Sequence, residues 1–252
     1  MCLLWIREDG RPGGIVSTRS LYETLATARR YNYPALLVDI KRRSPRDGEL
    51  IPEDRLESYV RSLGEAGVDA MSMPTDPTHF GGSIELARRV RRHCDVPLMR
   101  KEFFRSVDQM DESREAGFDA VQLSLGTVPD PELFAALRSR AEQIGLEVVV
   151  GAHGKEQLLR AVELGATVIG LNNRDITALE LDAGTVSESE SLIPLVPGGV
   201  LVISESSMLT SADVARAAQA GADGVLIGTA VARSADPVGW LRSLRGLAEC
   251  SR

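Results

Sequence analysis

Four spaced copies of one phrase, a length of 252 residues and an ordered series of short apolar runs predict an α/β fold, a single (β/α)8 TIM barrel. The phrase Glu65-Ala66-Gly67-Val68-Asp69-Ala70 returns as Glu115-Ala116-Gly117-Phe118-Asp119-Ala120. It returns again as Glu163-Leu164-Gly165-Ala166-Thr167-Val168 and Gln219-Ala220-Gly221-Ala222-Asp223-Gly224. Each copy ends an amphipathic stretch with a glycine, suited to the left-handed backbone that stops a helix, and then opens a short apolar run that reads as a buried strand. The glycines are 50, 48 and 56 residues apart, too far for one βα unit and right for two. In such a barrel the chemistry sits where the strands end.

The elements follow in order. Ser20–Tyr31 reads as a helix leading into the first strand, Pro34–Ile40. The next strands are Ala70–Met73, Pro97–Lys101, Ala120–Leu125 and Leu146–Val150. Val168–Asn172, Val200–Ser204 and Gly224–Ile227 complete the series. Between them lie helical patterns such as Ser83–His93, with Ile84, Leu86, Ala87 and Val90 on one side. Pro129-Asp130-Pro131 starts another helix, since proline is tolerated in a first turn. Residues 1–19, rich in glycine and charge around Asp9–Gly14, are expected to be a short, loosely held segment; 20–252 form the barrel, with no second domain.

Composition narrows the function. Hydrophobic residues make up 43% of the chain, enough to fill a large core. The net charge of −7 argues against nucleic-acid or acidic-membrane partners. Arg42-Arg43 and the Arg88–Arg92 cluster read as solvated faces. Three cysteines without metal or redox spacing fit a reducing compartment, and three scattered histidines make a His-rich metal site a poor fit. No metal and no cofactor are expected. The apolar start Cys2–Ile6 is cut off by Arg7, Glu8 and Asp9, well short of a signal-peptide core. The expectation is a cytoplasmic, soluble monomer or homodimer.

The first strand ends Asp39-Ile40-Lys41, and residues 39 and 41 share one face. An acid and an amine therefore point together into the barrel mouth. The third strand brings Lys101 to the same rim. Repulsion between ammonium groups and partial loss of water make an ammonium give up its proton more readily, which makes a lysine usable as a proton donor near neutral pH. The sixth strand ends with Asn172, followed by Arg174, and the seventh leads into Glu205, Ser206 and Ser207. The loops after strands seven and eight commonly bind phosphate through backbone amides. Ser206, Ser207, Gly228 and Thr229 offer small residues and hydroxyls there. The ligand expected is a phosphorylated small molecule.

Assembled in order, these motifs resemble the indole-3-glycerol phosphate synthase family, the decarboxylating, ring-closing enzymes of tryptophan synthesis. The resemblance runs from about Ser20 to Pro237. Its most specific pieces are Asp39–Pro45, Phe80–Ser83, Pro97–Phe103, Ile169–Asp175 and Ser204–Ser206. It implies that Lys101 is the general acid that protonates the substrate's ketone oxygen, and that Lys41 contacts substrate and assists proton transfer. Ser44 falls where the family holds the aromatic carboxylate, and Phe80 and Phe103 where it packs the ring. Asn172 and Glu205 match groups that orient hydroxyls and lysines, and Ser206, Gly228 and Thr229 match the phosphate cradle. Gln122, Gly151, His153 and Arg174 join the substrate-facing set.

The chain also departs from the pattern. Where the family places a glutamate at the end of the fifth strand, this sequence has Gly151, with His153 two residues on. Asp39 replaces the usual glutamate, Gln122 stands where an apolar residue is usual, and Pro74 where an aliphatic one is. Losing a general acid/base costs about 10²–10⁴ in rate, so several pocket changes at once suggest altered chemistry. Three readings follow. The first is a divergent relative closing or dehydrating a ring on an arylamino-deoxyketose phosphate, in specialised metabolism. The second is an ordinary synthase with a substituted base. The third is a protein that holds a phosphorylated ligand without turnover; the retained Asp39, Lys41, Lys101, Asn172 and Glu205 speak against it.

Overall fold

The repeated phrase has one mechanical job at each occurrence. Gly67, Gly117, Gly165 and Gly221 all adopt positive φ, at 79°, 91°, 68° and 102°, where a side chain would be strained and glycine is not. Each turns the chain from helix to strand. In three of the four copies an aspartate two residues later ties the new strand to the one before it, the copy at Gly165 having Thr167 instead. Asp69 Oδ2 accepts from the Leu36 amide at 2.8 Å, Asp119 Oδ2 from Leu98 at 3.0 Å and Asp223 Oδ2 from Val202 at 2.7 Å.

The structure, a computed structural model, describes residues 19–178 and 184–250. Apart from Arg19, the segment expected to be loosely held lies outside the described residues. Eight barrel strands follow in order: β1 (Ala35–Asp39), β2 (Ala70–Pro74), β3 (Leu98–Lys101) and β4 (Ala120–Ser124), then β5 (Glu147–Ala152), β6 (Val168–Asn172), β7 (Leu201–Glu205) and β8 (Gly224–Ile227). They close into a parallel barrel, with β1 between β8 and β2. Closure is made by Ala35 opposite Gly224 and Val38 opposite Ile227. The expected (β/α)8 barrel is what forms, with strand ends shifted by a few residues at most.

The helices are α1 (Leu21–Arg30), α2 (Leu56–Ala66), α3 (Ile84–Arg91), α4 (Asp108–Glu115) and α5 (Pro131–Gln143). After them come α6 (Gly154–Glu163), α7 (Ser187–Leu192), α8 (Ser211–Ala220), α9 (Thr229–Arg233) and α10 (Pro237–Cys250). Helix α1 begins at the cap Ser20, whose side chain accepts from the Glu23 amide. Its Leu21, Leu25 and Ala28 pack with inward residues of the strands: Ala35, Leu37, Ala70, Met99, Ala120, Val149, Val168, Leu201, Ile203 and Leu226. Helix α1 thus plugs the barrel floor. Residues of the opposite parity, such as Leu36, Val38, Leu98, Val121, Val150 and Val202, pack in the larger core shared with the outer helices. The strand period of two therefore sets the upper interior layer: Asp39, Ser72, Lys101, Gln122, Gly151, Gly170, Glu205 and Gly228 continue the inward rows.

A feature beyond the sequence reading is a small hairpin after β1, pairing Arg43–Ser44 with Gly48–Glu49. Among the described residues no helix is long and apolar enough to cross a membrane.

Candidate active site

The inward rows deliver acids and amines to the C-terminal end of the strands. Glu205 is fully buried, Asp39 and Lys41 are 7% and 5% exposed, and Gln122 is 6% exposed. Burying this much charge is costly unless each group is paired, and the pairs are explicit. Lys101 Nζ lies 3.2 Å from Glu205 Oε2, with a fifth of the lysine side chain still exposed. Gln122 Nε2 donates to Glu205 Oε1 at 2.6 Å. Ser72, opposite Asp39 in the β1–β2 register, donates to Asp39 Oδ1. The charge of Asp39 also reaches Tyr59 of α2: burial first, and that charge second, push the phenol up. The Tyr59 hydroxyl is buried and has no hydrogen-bond partner among the described residues.

Two neighbouring hollows share Asp39, Lys41 and Lys101 in their linings. The first, of ≈60 Å³, is an aromatic lobe whose lining includes Phe80, Phe103, Gln122, Ser124 and Thr127. The two phenyl rings stack with centroids 6.3 Å apart at 21°, and His79 meets Phe103 edge-on at 5.8 Å. The second, of ≈40 Å³, is lined by Arg46, Arg174, Ser206, Ser207, Gly228 and Thr229. Ser206 and Ser207 have φ of 66° and 58°, a left-handed backbone that costs energy outside glycine and clusters at functional sites. The Ser207 hydroxyl is buried and has no partner among the described residues. Larger hollows lie between α5 and α6 (≈490 Å³) and near the floor beside α8 (≈600 Å³). The mouth stands out by its converging charges and not by its size.

The structure gathers most of the expected residues and sets others aside. Lys101, Lys41, Asp39, Gln122, Phe80 and Phe103 border the aromatic lobe, and Arg174, Ser206, Ser207, Gly228 and Thr229 the second. Gly151 sits on β5 beside Gln122, and a Cβ there would lie 3.3 Å from Gln122 Nε2. Ser44 faces its own hairpin, where its Oγ accepts from the Arg46 and Asp47 amides at 3.3 Å. Asn172 Oδ1 accepts from the Arg174 amide at 3.2 Å, and the Asn172 carbonyl meets His153 Nδ1 at 2.9 Å. Ser44, Asn172 and His153 line neither lobe.

Sequence reasoning missed Arg46, Asp76, Ser124 and Thr127, all of which line the lobes. Ser124 was legible, being two residues beyond Gln122 on the same strand face. Arg46 comes from the hairpin tip and carried no such signal. It is bonded to Asp47, which also meets Arg233 of α9 at 3.0 Å. Burial works to raise the Asp47 carboxyl, yet the Arg46 hydrogen bond and the charges of Arg46, Arg233 and Lys41 hold it below its ordinary value.

The fold and site together are those of a (β/α)8 barrel with two lysines and buried acids at its mouth and a cationic, hydroxyl-rich lobe after its last strands. Solved structures of similar shape are a thiamine phosphate pyrophosphorylase from Pyrococcus furiosus and an orotidine 5'-phosphate decarboxylase from Pyrococcus horikoshii. Each has a TM-score of 0.63, at 19% and 11% identity, over 87% and 85% of this chain and 97% and 99% of the other. At that identity they speak for the fold alone. Sequence goes further: the family model for indole-3-glycerol phosphate synthase matches residues 13–244. An indole-3-glycerol phosphate synthase from Thermococcus kodakarensis is 36% identical over 86% of this chain and 94% of its own length. One from Pelodictyon phaeoclathratiforme is 38% identical over 86% and 82%. The chain belongs to the indole-3-glycerol phosphate synthase family.

Proposed function

We propose that this chain is a ring-closing lyase acting on an arylamino-deoxyketose phosphate. The observation that carries the reading is Lys101, which borders both lobes and lies 3.2 Å from the buried Glu205. A ligand with its ring against Phe80 and Phe103 and its phosphate near Gly228 places its carbonyl carbon between the lobes, beside both lysines. Attack of the ring carbon on that carbonyl builds negative charge on oxygen, and the Lys101 ammonium supplies the proton. Loss of carbon dioxide then returns an electron pair to the ring. Loss of water needs a proton delivered to the new hydroxyl and another removed from the adjacent carbon. With Gly151 on β5, we assign the second task to Asp39, which borders both lobes.

The identity of the ring divides two versions of this reading. Gly151 and Asp39, as departures from the family pattern, favour a related substrate in specialised metabolism. Gln122 argues the other way. Its amide has an internal partner in Glu205 at 2.6 Å, so the aromatic wall makes no demand for a polar ring substituent. The unsubstituted substrate, 1-(2-carboxyphenylamino)-1-deoxyribulose 5-phosphate, is therefore the one to test first. The protein is incubated with it and indole fluorescence is followed. Indole formation at an enzymic rate supports the synthase; tight binding without product leaves the related substrate in its place.

A further inference from the structure

Gln122 and Glu205 meet inside the barrel across strands that are not neighbours, and the strands between them leave room for the contact. Gln122 lies on β4 and Glu205 on β7, with Gly151 on β5 and Gly170 on β6 in the same interior layer. A Cβ on Gly170 would lie 2.2 Å from Glu205 Oε1 and 2.7 Å from Gln122 Nε2. A Cβ on Gly151 would lie 3.3 Å from the same amide nitrogen and 3.2 Å from Ser124. Both intervening positions are thus glycine where any side chain would press on the bridge.

The chemistry of the bridge is directional. An ionised carboxylate only accepts hydrogen bonds, and Glu205 is fully buried. Its Oε1 accepts from Gln122 at 2.6 Å and its Oε2 faces Lys101 at 3.2 Å. One donor on each oxygen fixes the plane of the carboxylate, and with it the place of the lysine. We propose that Gln122 is a positioning residue that locks Glu205 so that its second oxygen holds Lys101 in the mouth, with Gly151 and Gly170 as its necessary small neighbours. The proposal rests on Lys101 being the proton donor. It makes Gln122 and Gly151 a coupled pair: the amide uses the space that a side chain at 151 would need.

The test uses Gln122→Leu, which keeps bulk and removes the donor, and Gly170→Ala, which presses on the same contact from another strand. Each single variant is expected to lower kcat at least about tenfold, toward the roughly 10²-fold that a misplaced catalytic group can cost, while KM stays within about twofold. The double variant should be little worse than either single one, because both act through one carboxylate. A crystal structure of Gln122→Leu should show Glu205 turned away, with its Oε2 beyond hydrogen-bonding reach of Lys101. Unchanged kcat in Gln122→Leu, multiplying effects in the double variant, or Glu205 still in place in that crystal would each overturn the proposal. If the wild-type protein fails to turn over the carboxyphenylamino substrate, the substrate reading falls, and the crystal structure still decides the role of Gln122.

Discussion

Lys101 has a buried acid beside it and an open lobe on either side, so its amine is both held and reachable. Lys101→Ala should abolish turnover while the fold stands, since no neutral aliphatic can protonate a developing alkoxide. A variant retaining more than about a tenth of wild-type kcat, against the 10²-fold or larger loss typical of a general acid, would remove Lys101 from that role. Gly151 is the sharper case. A glutamate there starts from a Cβ already 3.2 Å from Ser124 and 3.3 Å from the Gln122 amide, so it must push into the Gln122–Glu205 contact. Gly151→Glu is expected to lower activity, with little or no indole formed. A clear gain in indole-3-glycerol phosphate formation from that one change would mark the chain as a synthase that merely lost its base.

At the scale of elements, the repeated aspartates tie β2, β4 and β8 each to the strand before it. Asp223 is representative: its Oδ2 accepts from the Val202 amide at 2.7 Å, and Arg29 of α1 grips both carboxylate oxygens at 2.6 and 2.7 Å. The hydrogen bonds that Arg29 donates to Asp223 raise its guanidinium above its ordinary value, against the opposing effect of burial. One side chain therefore pins β8 to β7 and to the floor helix. Asp223→Ala leaves the buried Val202 amide without its partner, while the Arg29 side chain, 38% exposed, keeps the Gly198 and Val200 carbonyls. The change should cost about 1–3 kcal/mol, the range for a buried group left unsatisfied. Urea unfolding monitored by circular dichroism measures it, and a loss below about 1 kcal/mol would show that water replaces the carboxylate. The aspartates and glycines were legible because they repeat. The hairpin carrying Arg46 was not, because strands of two residues show no periodicity.

For the whole molecule, the loops after β7 and β8 meet the hairpin after β1 to form one cationic recess. Arg46, Arg174, Lys41 and Lys101 all border it. Inorganic phosphate should bind there near Ser206, Ser207, Gly228 and Thr229. Because only the folded barrel assembles the recess, phosphate should raise Tm, with about 2.7 kcal/mol of stabilisation at 100 times Kd. Arg174→Ala should weaken the effect, and chloride at matched ionic strength should not reproduce it. A Tm indifferent to phosphate, or a crystal structure with the anion elsewhere and these loops blocked, would reject the site.

The sequence by itself determined the barrel, because a helix-ending glycine followed by a short apolar run recurs four times at double-unit spacing, and the glycine acts locally. It also determined which inward rows reach the mouth, since strand parity carries Leu37 to Asp39, Met99 to Lys101 and Ile203 to Glu205. Tertiary structure decided the partners. Gln122 and Glu205 are 83 residues apart and meet at 2.6 Å only because closure of the barrel brings β4 and β7 across one interior. Ser44 turned to amides of its own hairpin, and Asn172, at the end of β6, to the Arg174 amide and to His153 after β5. Parity says which way a strand residue points, but a hydrogen-bond partner depends on distances set by all eight strands together, and loop residues have no parity to follow.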